Sequence, residues 1–250
     1  MKDIPIAVQL FSVRDECEKD LAKTIAAVAK IGYTGVEFAG YYGKSGKEIK
    51  KMLADNGLQA AGCHTGLDTL QPDKIQQTIE FNLEYGNKRL ICPWIGKEVA
   101  SDVKGWKKMG EFFKELGSKL KPHGMVTGYH NHGHDLQPLE GTTPWDAFFG
   151  SAGKDMVVQV DIGNAYSAVA NPMPQLENYP GQVKTIHIKE WSKSNPKALV
   201  GEGDVPWKRV IDFCQTKGGT EWYIIEHEVP GQPSLEAVAG CLKNFKKLVA

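Results

Sequence analysis

A closed barrel of eight parallel β-strands alternating with helices, a (β/α)8 barrel, is the fold class this sequence predicts, and three observations predict it. β-rich runs and amphipathic stretches alternate eight times along 250 residues, a length close to the usual size of such a barrel. Four apolar runs in the second half end near residues able to hold a metal: His130, Asp161, His187 and Glu226, spaced 31, 26 and 39 residues apart. That spacing is about one strand plus one crossover helix. No Pro-, Ser- or Gly-rich linker and no low-complexity segment interrupts the pattern, so residues 1–250 read as a single barrel domain.

The strands are expected at 6–10, 35–38, 59–63, 89–92, 125–130, 156–161, 184–188 and 222–226, short runs of which most carry β-branched or aromatic residues. Between them apolar residues recur at helical spacing. Leu21, Ile25, Val28 and Ile31 mark the first helix, and Ile49, Met52 and Leu53 the second. Trp106, Met109, Phe112, Phe113 and Leu116 mark another, and Leu235, Val238, Leu242, Phe245 and Leu248 the last. Gly32, Gly57 and Gly124 separate a helical pattern from the next strand, where a left-handed helix end is required. Two connections, 65–72 and 191–207, are longer than the rest and would sit at the carboxyl rim, where substrate lids are usual.

Composition narrows the function classes. Thirty basic residues balance thirty acidic ones without a long run of like charge, which argues against nucleic acid and anionic membrane as partners. No apolar run approaches the roughly 20 residues a bilayer crossing needs, and the opening Met1-Lys2-Asp3-Ile4-Pro5 has no signal-peptide core. A cytoplasmic location is the expectation for the chain as it stands. The five cysteines are odd in number and lack paired metal-ligand spacing, which favours reduced thiols. A homo-oligomer is compatible with the sequence.

Parallel strands would bring His130, Asp161, His187 and Glu226 to one rim, as a nitrogen-and-carboxylate divalent-metal site requires. A carboxylate ending an apolar strand is costly to bury unpaired, so Asp161 and Glu226 call for a metal or for a Lys or Arg partner. His132 lies on the same strand face as His130 and can exchange roles with it. Glu37, His64 and Lys189 stand at or beside expected strand ends, where they bond sugar hydroxyls or serve in structural pairs. Trp94 and Trp191 offer indole platforms for a sugar or pack the rim. Glu202, in Gly201-Glu202-Gly203, closes over a substrate or simply makes a turn. That glycine pair is no nucleotide fingerprint, since it lacks the third glycine and the strand–turn–helix setting.

The order of motifs resembles the xylose isomerase-like TIM barrels, which include sugar phosphate isomerases/epimerases, with sugar 3-epimerases and endonuclease IV among the relatives. The motifs are Ile6-Ala7-Val8-Gln9-Leu10-Phe11-Ser12-Val13-Arg14, Gly35-Val36-Glu37, Tyr129-His130-Asn131-His132, Asp161-Ile162-Gly163-Asn164, Ile186-His187-Ile188-Lys189-Glu190, Gly201-Glu202-Gly203-Asp204-Val205-Pro206-Trp207 and Ile225-Glu226. In the sugar epimerases the resemblance points to, glutamate, aspartate, histidine and glutamate hold the metal. Asp161, His187 and Glu226 match three of these, while His130 departs from the first. Those epimerases use two metal-bound glutamates to remove and return a proton, and only Glu226 is retained. His132, Glu190 or Glu228 would have to supply the second proton carrier. Asn164, a candidate substrate contact, stands where the epimerases carry histidine.

The resemblance implies a sugar isomerase/epimerase with one divalent metal (Mn, Co, Fe, Zn or Mg) and a small carbohydrate substrate. It would act by proton abstraction beside a carbonyl through an enediolate. Glu226 is then the leading base, with His132 and Lys189 placing or polarising the substrate. Two alternatives stay open: a β-eliminating lyase or hydrolase of 3-keto-glycosides on the same barrel, and a metal-free sugar-binding barrel. A DNA-repair endonuclease would need a basic cleft that the balanced charge does not provide.

Overall fold

The computed structural model of the chain describes residues 2–250. Eight parallel strands form one sheet: β1 (Ile6–Gln9), β2 (Gly35–Phe38), β3 (Gln59–His64), β4 (Arg89–Cys92), β5 (Val126–His130), β6 (Val157–Gln159), β7 (Thr185–Ile188) and β8 (Trp222–Ile225). Hydrogen-bonded ladders run in the order β6-β5-β4-β3-β2-β1-β8-β7. The seam between β7 and β6 closes through Val158 N–H to Gln182 O at 3.0 Å and His187 N–H to Val160 O at 2.9 Å, with one parallel bridge between Asp161 and His187. The result is a nearly closed (β/α)8 barrel, the architecture expected from the alternation.

Helices α1 (Arg14–Ile31), α2 (Gly46–Asp55), α3 (Ile75–Glu84), α4 (Val103–Leu120), α5 (Pro144–Ala152), α6 (Ile162–Ala168), α7 (Met173–Glu177), α8 (Trp207–Phe213) and α9 (Ser234–Leu248) connect the strands. Four of them start on short polar side chains. Ser45 and Glu48 make a capping box on α2, Asp102 caps α4, Thr143 caps α5 and Asp161 caps α6. Helix α1 breaks at Asp20, whose φ and ψ are not helical and whose Oδ1 accepts from Lys23 N–H at 3.1 Å. The apolar spacing from Leu21 onward therefore marks the second of two helical pieces. One crossover was expected between β6 and β7, and two short helices, α6 and α7, make it.

Alternation along the strands divides the buried residues into two sets. Outward positions such as Val8, Val36, Leu90, Val158, Ile186 and Ile225 join the large core under the helices. Inside the barrel, Ala7, Ala61, Trp222 and Ile224 form a separate apolar cluster. Trp222 fits because Gly35 has no side chain: a Cβ there would lie 2.7 Å from the indole ring. Above this cluster the interior turns polar, with Gln9, Glu37, Gln159, Thr185 and His187 all fully buried. A β-bulge in β3 shifts the register between Val36 and Glu37, pairing Glu37 with Gly62. A Cβ on Gly62 would meet Glu37 Oε1 at 2.8 Å, so this glycine makes room for the carboxylate.

No helix among the described residues is long and apolar enough to cross a membrane. All five cysteines are free and buried.

Candidate active site

The carboxyl ends of β5 to β8 bring four sequence-predicted residues together. His130 is the last residue of β5 and pairs in register with Gln159. Asp161 lies two residues beyond Gln159, on the same face. His187 is level with Ile224, and Glu226 follows β8 directly. His130, Asp161, His187 and Glu226 are all buried, and each offers one ligand atom within 4.8 Å of the others. His64, His130 and His187 form a second, overlapping group. His132 belongs to neither, so of the two interchangeable histidines it is His130 that turns into the cluster.

His187 is clamped between two carboxylates. Its Nδ1 lies 2.7 Å from Glu226 Oε2 and its Nε2 lies 2.6 Å from Glu37 Oε2. Burial alone would favour the neutral ring, but Glu37 and Glu226 outweigh it and raise the pKa to about 10. Burial likewise opposes ionisation of Glu226, yet Lys189 and His187 hold its carboxyl well below the usual range. Glu37 also stays below its ordinary value, because His64 and His187 overcome the burial penalty. Lys189 Nζ donates to Glu226 Oε1 at 2.9 Å and to Glu228 Oε1 at 2.8 Å. Burial disfavours this ammonium, but the surrounding carboxylates raise its pKa.

Asp161 has a different environment. Its Oδ1 accepts from Asn164 N–H at 2.7 Å, capping α6, and its backbone is bracketed by the Asn131 amide. Its Oδ2 is buried without a hydrogen-bond partner, 3.9 Å from His187 Nδ1 and 4.0 Å from Lys189 Nζ. Burial pushes this carboxyl up to about 7, against the pull of Lys189. A buried carboxylate oxygen without a partner is costly, and a cation among these four residues would satisfy it. Two imidazoles and two carboxylates suit a borderline divalent ion. The residues present therefore fit the metal expected from the sequence.

A cavity of about 540 Å³ opens above the cluster. Of the expected substrate contacts, His64, Trp94 and Asn164 line it, together with His132 and Lys189; His130 and Glu226 of the cluster reach it, and Phe11, Ala39, Pro93 and Glu228 complete the wall. Trp94 is 52% exposed, with its ring 5.2 Å from His132. His132 has a buried Nδ1 without a partner, and burial lowers its pKa to about 4, so its ring is neutral at pH 7. Burial also lowers the pKa of His64.

Three expected contacts do not line this cavity. Glu37 lies beneath it, bonded to Gln9, Gln159 and His187. Trp191 is half-buried and stacks on Tyr166. Glu202 is exposed and accepts from Leu199 N–H and Asn244 Nδ2, each at 3.1 Å, which ties its loop to α9. Glu190, considered as a second proton carrier, anchors the 191–207 loop instead. Its carboxylate accepts from the backbone of Trp191, Gly201 and Val205 and from the Trp207 indole. Sequence reasoning missed Gln9 and Gln159. Their signal is parity: Gln9 stands two residues after Ala7, and Gln159 two before Asp161, both on the inward face.

A family model described as a xylose isomerase-like TIM barrel matches residues 25–245. A crystal structure of a sugar phosphate isomerase/epimerase from Parabacteroides distasonis is similar, with a TM-score of 0.84 at 21% identity over 98% of each chain. A structure of L-ribulose 3-epimerase has a TM-score of 0.72 at 13% identity, covering 98% of this chain and 94% of its own. Inosose dehydratase of Clostridium beijerinckii is 22% identical over 194 residues, 69% of this chain. The chain matches 64% of the length of that curated relative. The structural likenesses show the fold.

Proposed function

Because this chain belongs to the xylose isomerase-like TIM barrel family, we propose that it is a divalent-metal-dependent enzyme of the sugar isomerase/epimerase kind, removing a proton beside a carbonyl of a small carbohydrate. The observation that carries this reading is the buried, unpartnered Oδ2 of Asp161 among His130, His187 and Glu226. These four residues would hold the metal. A bound ion there supplies Lewis-acid polarisation of a substrate oxygen, which makes the neighbouring C–H more acidic.

The chain's own groups divide the remaining work. Glu226 is the base, and its basicity is weak while Lys189 and His187 both bond it. A substrate oxygen that draws the Lys189 ammonium away frees Glu226 Oε1 and at the same time gains a positive charge beside it. His132, neutral and lining the same cavity, is the second proton carrier. His64, Trp94 and Asn164 orient the substrate against these groups. Glu37, Trp191 and Glu202 act indirectly, through the layer below the cavity and through the loop at its edge.

A second outcome of the same first step is loss of a β-substituent. It is favoured by His130, which takes the place of the carboxylate that would return the proton, and by the dehydratase name of the curated relative. Metal analysis followed by incubation with ketoses, aldoses and 3-keto-glycosides in heavy water tests the reading. Near one metal per chain and deuterium at a substrate carbon are expected, and the labelled product separates isomerase from lyase. A chain that takes up no metal on reconstitution and exchanges no substrate proton would leave a sugar-binding barrel.

A further inference from the structure

Each histidine at this site can carry its proton on either ring nitrogen, and only one choice leaves a lone pair where a metal ligand is needed. Glu37 removes the choice. Its Oε1 accepts from Gln159 Nε2 at 2.8 Å, and its Oε2 accepts from Gln9 Nε2 at 2.7 Å and His187 Nε2 at 2.6 Å. A carboxylate receiving three donors only accepts, so Gln159 must turn its NH2 toward Glu37. The same NH2 reaches Thr185 Oγ1 at 2.9 Å.

Gln159 Oε1 therefore faces the opposite way, where His64 Nε2 lies at 2.8 Å and His130 Nδ1 at 3.2 Å. A carbonyl oxygen cannot donate, so both rings must carry protons on those nitrogens. What remains free is Nε2 of His130 and Nδ1 of His64. Glu37 likewise holds a proton on His187 Nε2; in the metal-free chain Nδ1 carries one as well, toward Glu226 Oε2 at 2.7 Å, and that Nδ1 proton is the one a ligand bond would displace. That Nδ1 is the atom facing Glu226 and Asp161, the other two members of the cluster.

We infer that Glu37 and Gln159 are a tautomer-setting pair: one buried carboxylate, relayed through one amide, fixes the proton positions on His64, His130 and His187 and so orients two of the four metal ligands. Both are positioning residues, since neither lines the cavity. The consequence for metal binding rests on the proposed function, whereas the tautomers themselves do not. The alternative role is that of a polar layer that merely fills the barrel. It predicts no fixed tautomer and no effect on metal affinity.

The first test uses metal-free wild-type protein labelled with 15N-histidine, read by two-bond 1H–15N NMR at pH 7. Protonation of His130 on Nδ1 and of His64 on Nε2 is expected; the opposite tautomer of His130, or a mixture, overturns the inference. The second compares Zn2+ affinity in wild type and Gln159→Met, a side chain of similar length without an acceptor. Mixed tautomers and an affinity loss of about 10- to 100-fold are expected, the usual cost of removing an orienting partner. A folded Gln159→Met that binds Zn2+ as wild type does overturns the positioning role. If the variant does not fold, the wild-type spectra still decide. Fixed tautomers in a wild-type protein that takes up no metal would leave the pair standing and reject the proposed function.

Discussion

The two ends of the barrel interior are built on opposite terms. At the amino end Ala7, Ala61, Trp222 and Ile224 pack into one apolar cluster, and the geometric requirement is room for the indole beside Gly35. At the carboxyl end Gln9, Glu37, Gln159 and His187 are buried just as deeply, but each is held by specific hydrogen bonds. The change takes two residues along a strand: Ala7 to Gln9 on β1, Ile224 to Glu226 at the end of β8. An apolar layer tolerates any side chain of the right volume. A buried polar layer holds only when every member is bonded, and within the cluster of His130, Asp161, His187 and Glu226 the exception is Asp161 Oδ2. One end therefore stabilises the fold, while the other leaves a buried carboxylate oxygen unpaired, a cost the proposed metal site would explain.

Removing that exception should produce the largest effect. Asp161→Asn keeps the cap on α6 but takes away the charge that lacks a partner. Metal content should fall from about one ion per chain to a trace and turnover by more than about 100-fold, beyond the loss given by orienting partners. The metal-free variant, compared with metal-free wild type at pH 8, should be more stable by on the order of 1 kcal/mol, the cost of an unsatisfied buried group. Chelator-treated samples in a urea titration check this. A variant that is both less stable and still metal-loaded would show that Asp161 is a structural carboxylate.

Trp222→Ala attacks the other end. Loss of a buried tryptophan costs about 3–5 kcal/mol, here without touching a candidate ligand, so the unfolding midpoint should drop sharply while metal stoichiometry stays at the wild-type value. Loss of metal at temperatures where the variant is folded would mean that the two layers are not independent.

The sequence carried these two ends unequally. Outward strand residues such as Val36, Val158 and Ile225 repeat with a period of two and disclose the barrel, and the strand-end positions disclose His130, Asp161, His187 and Glu226. Gln9 and Gln159 sit in the same runs at the same parity, but a glutamine inside a strand reads as an ordinary exposed polar residue until the partner strand is known. Glu37 stands near a strand end, where a sugar contact and a structural pair read alike in the sequence. Its burial depends on Gly62 across the bulge, a contact set by register rather than by local pattern. Glu202 and Trp191 lie in a long loop whose path is fixed by Glu190, and nothing local announces where such a loop turns.

The polar end should also show itself through pH. In the metal-free protein the folded-state pKa of His187 is raised from 6.5 to about 10. A raised pKa contributes stability that is fully present below the unfolded value and is lost as pH rises through the folded one. Asp161, raised from 3.8 to about 7, works in the same direction at lower pH. The melting temperature of the metal-free chain should therefore decline from pH 7 to pH 10, and His187→Gln should flatten that decline. The amino end contains no titrating group among Ala7, Ala61, Trp222 and Ile224, so Trp222→Ala should keep the wild-type slope at a lower midpoint. An unchanged slope in His187→Gln would place the titration elsewhere.

The smallest effect belongs to the rim, where neither layer is disturbed. Trp94 is half exposed, lines the cavity, and sets its ring 5.2 Å from that of His132 and 4.4 Å from that of His134. Its removal leaves the buried network intact, so Trp94→Ala should melt within about 1 °C of wild type, as surface substitutions usually do. If its face receives the substrate, an aromatic contact of about 0.5–1.5 kcal/mol corresponds to a KM higher by roughly 2- to 10-fold, with kcat little changed because no proton carrier has moved. A fall in kcat at constant KM would instead mean that the indole acts by holding His132 in place, which would extend the interdependence of the buried layer out to the surface.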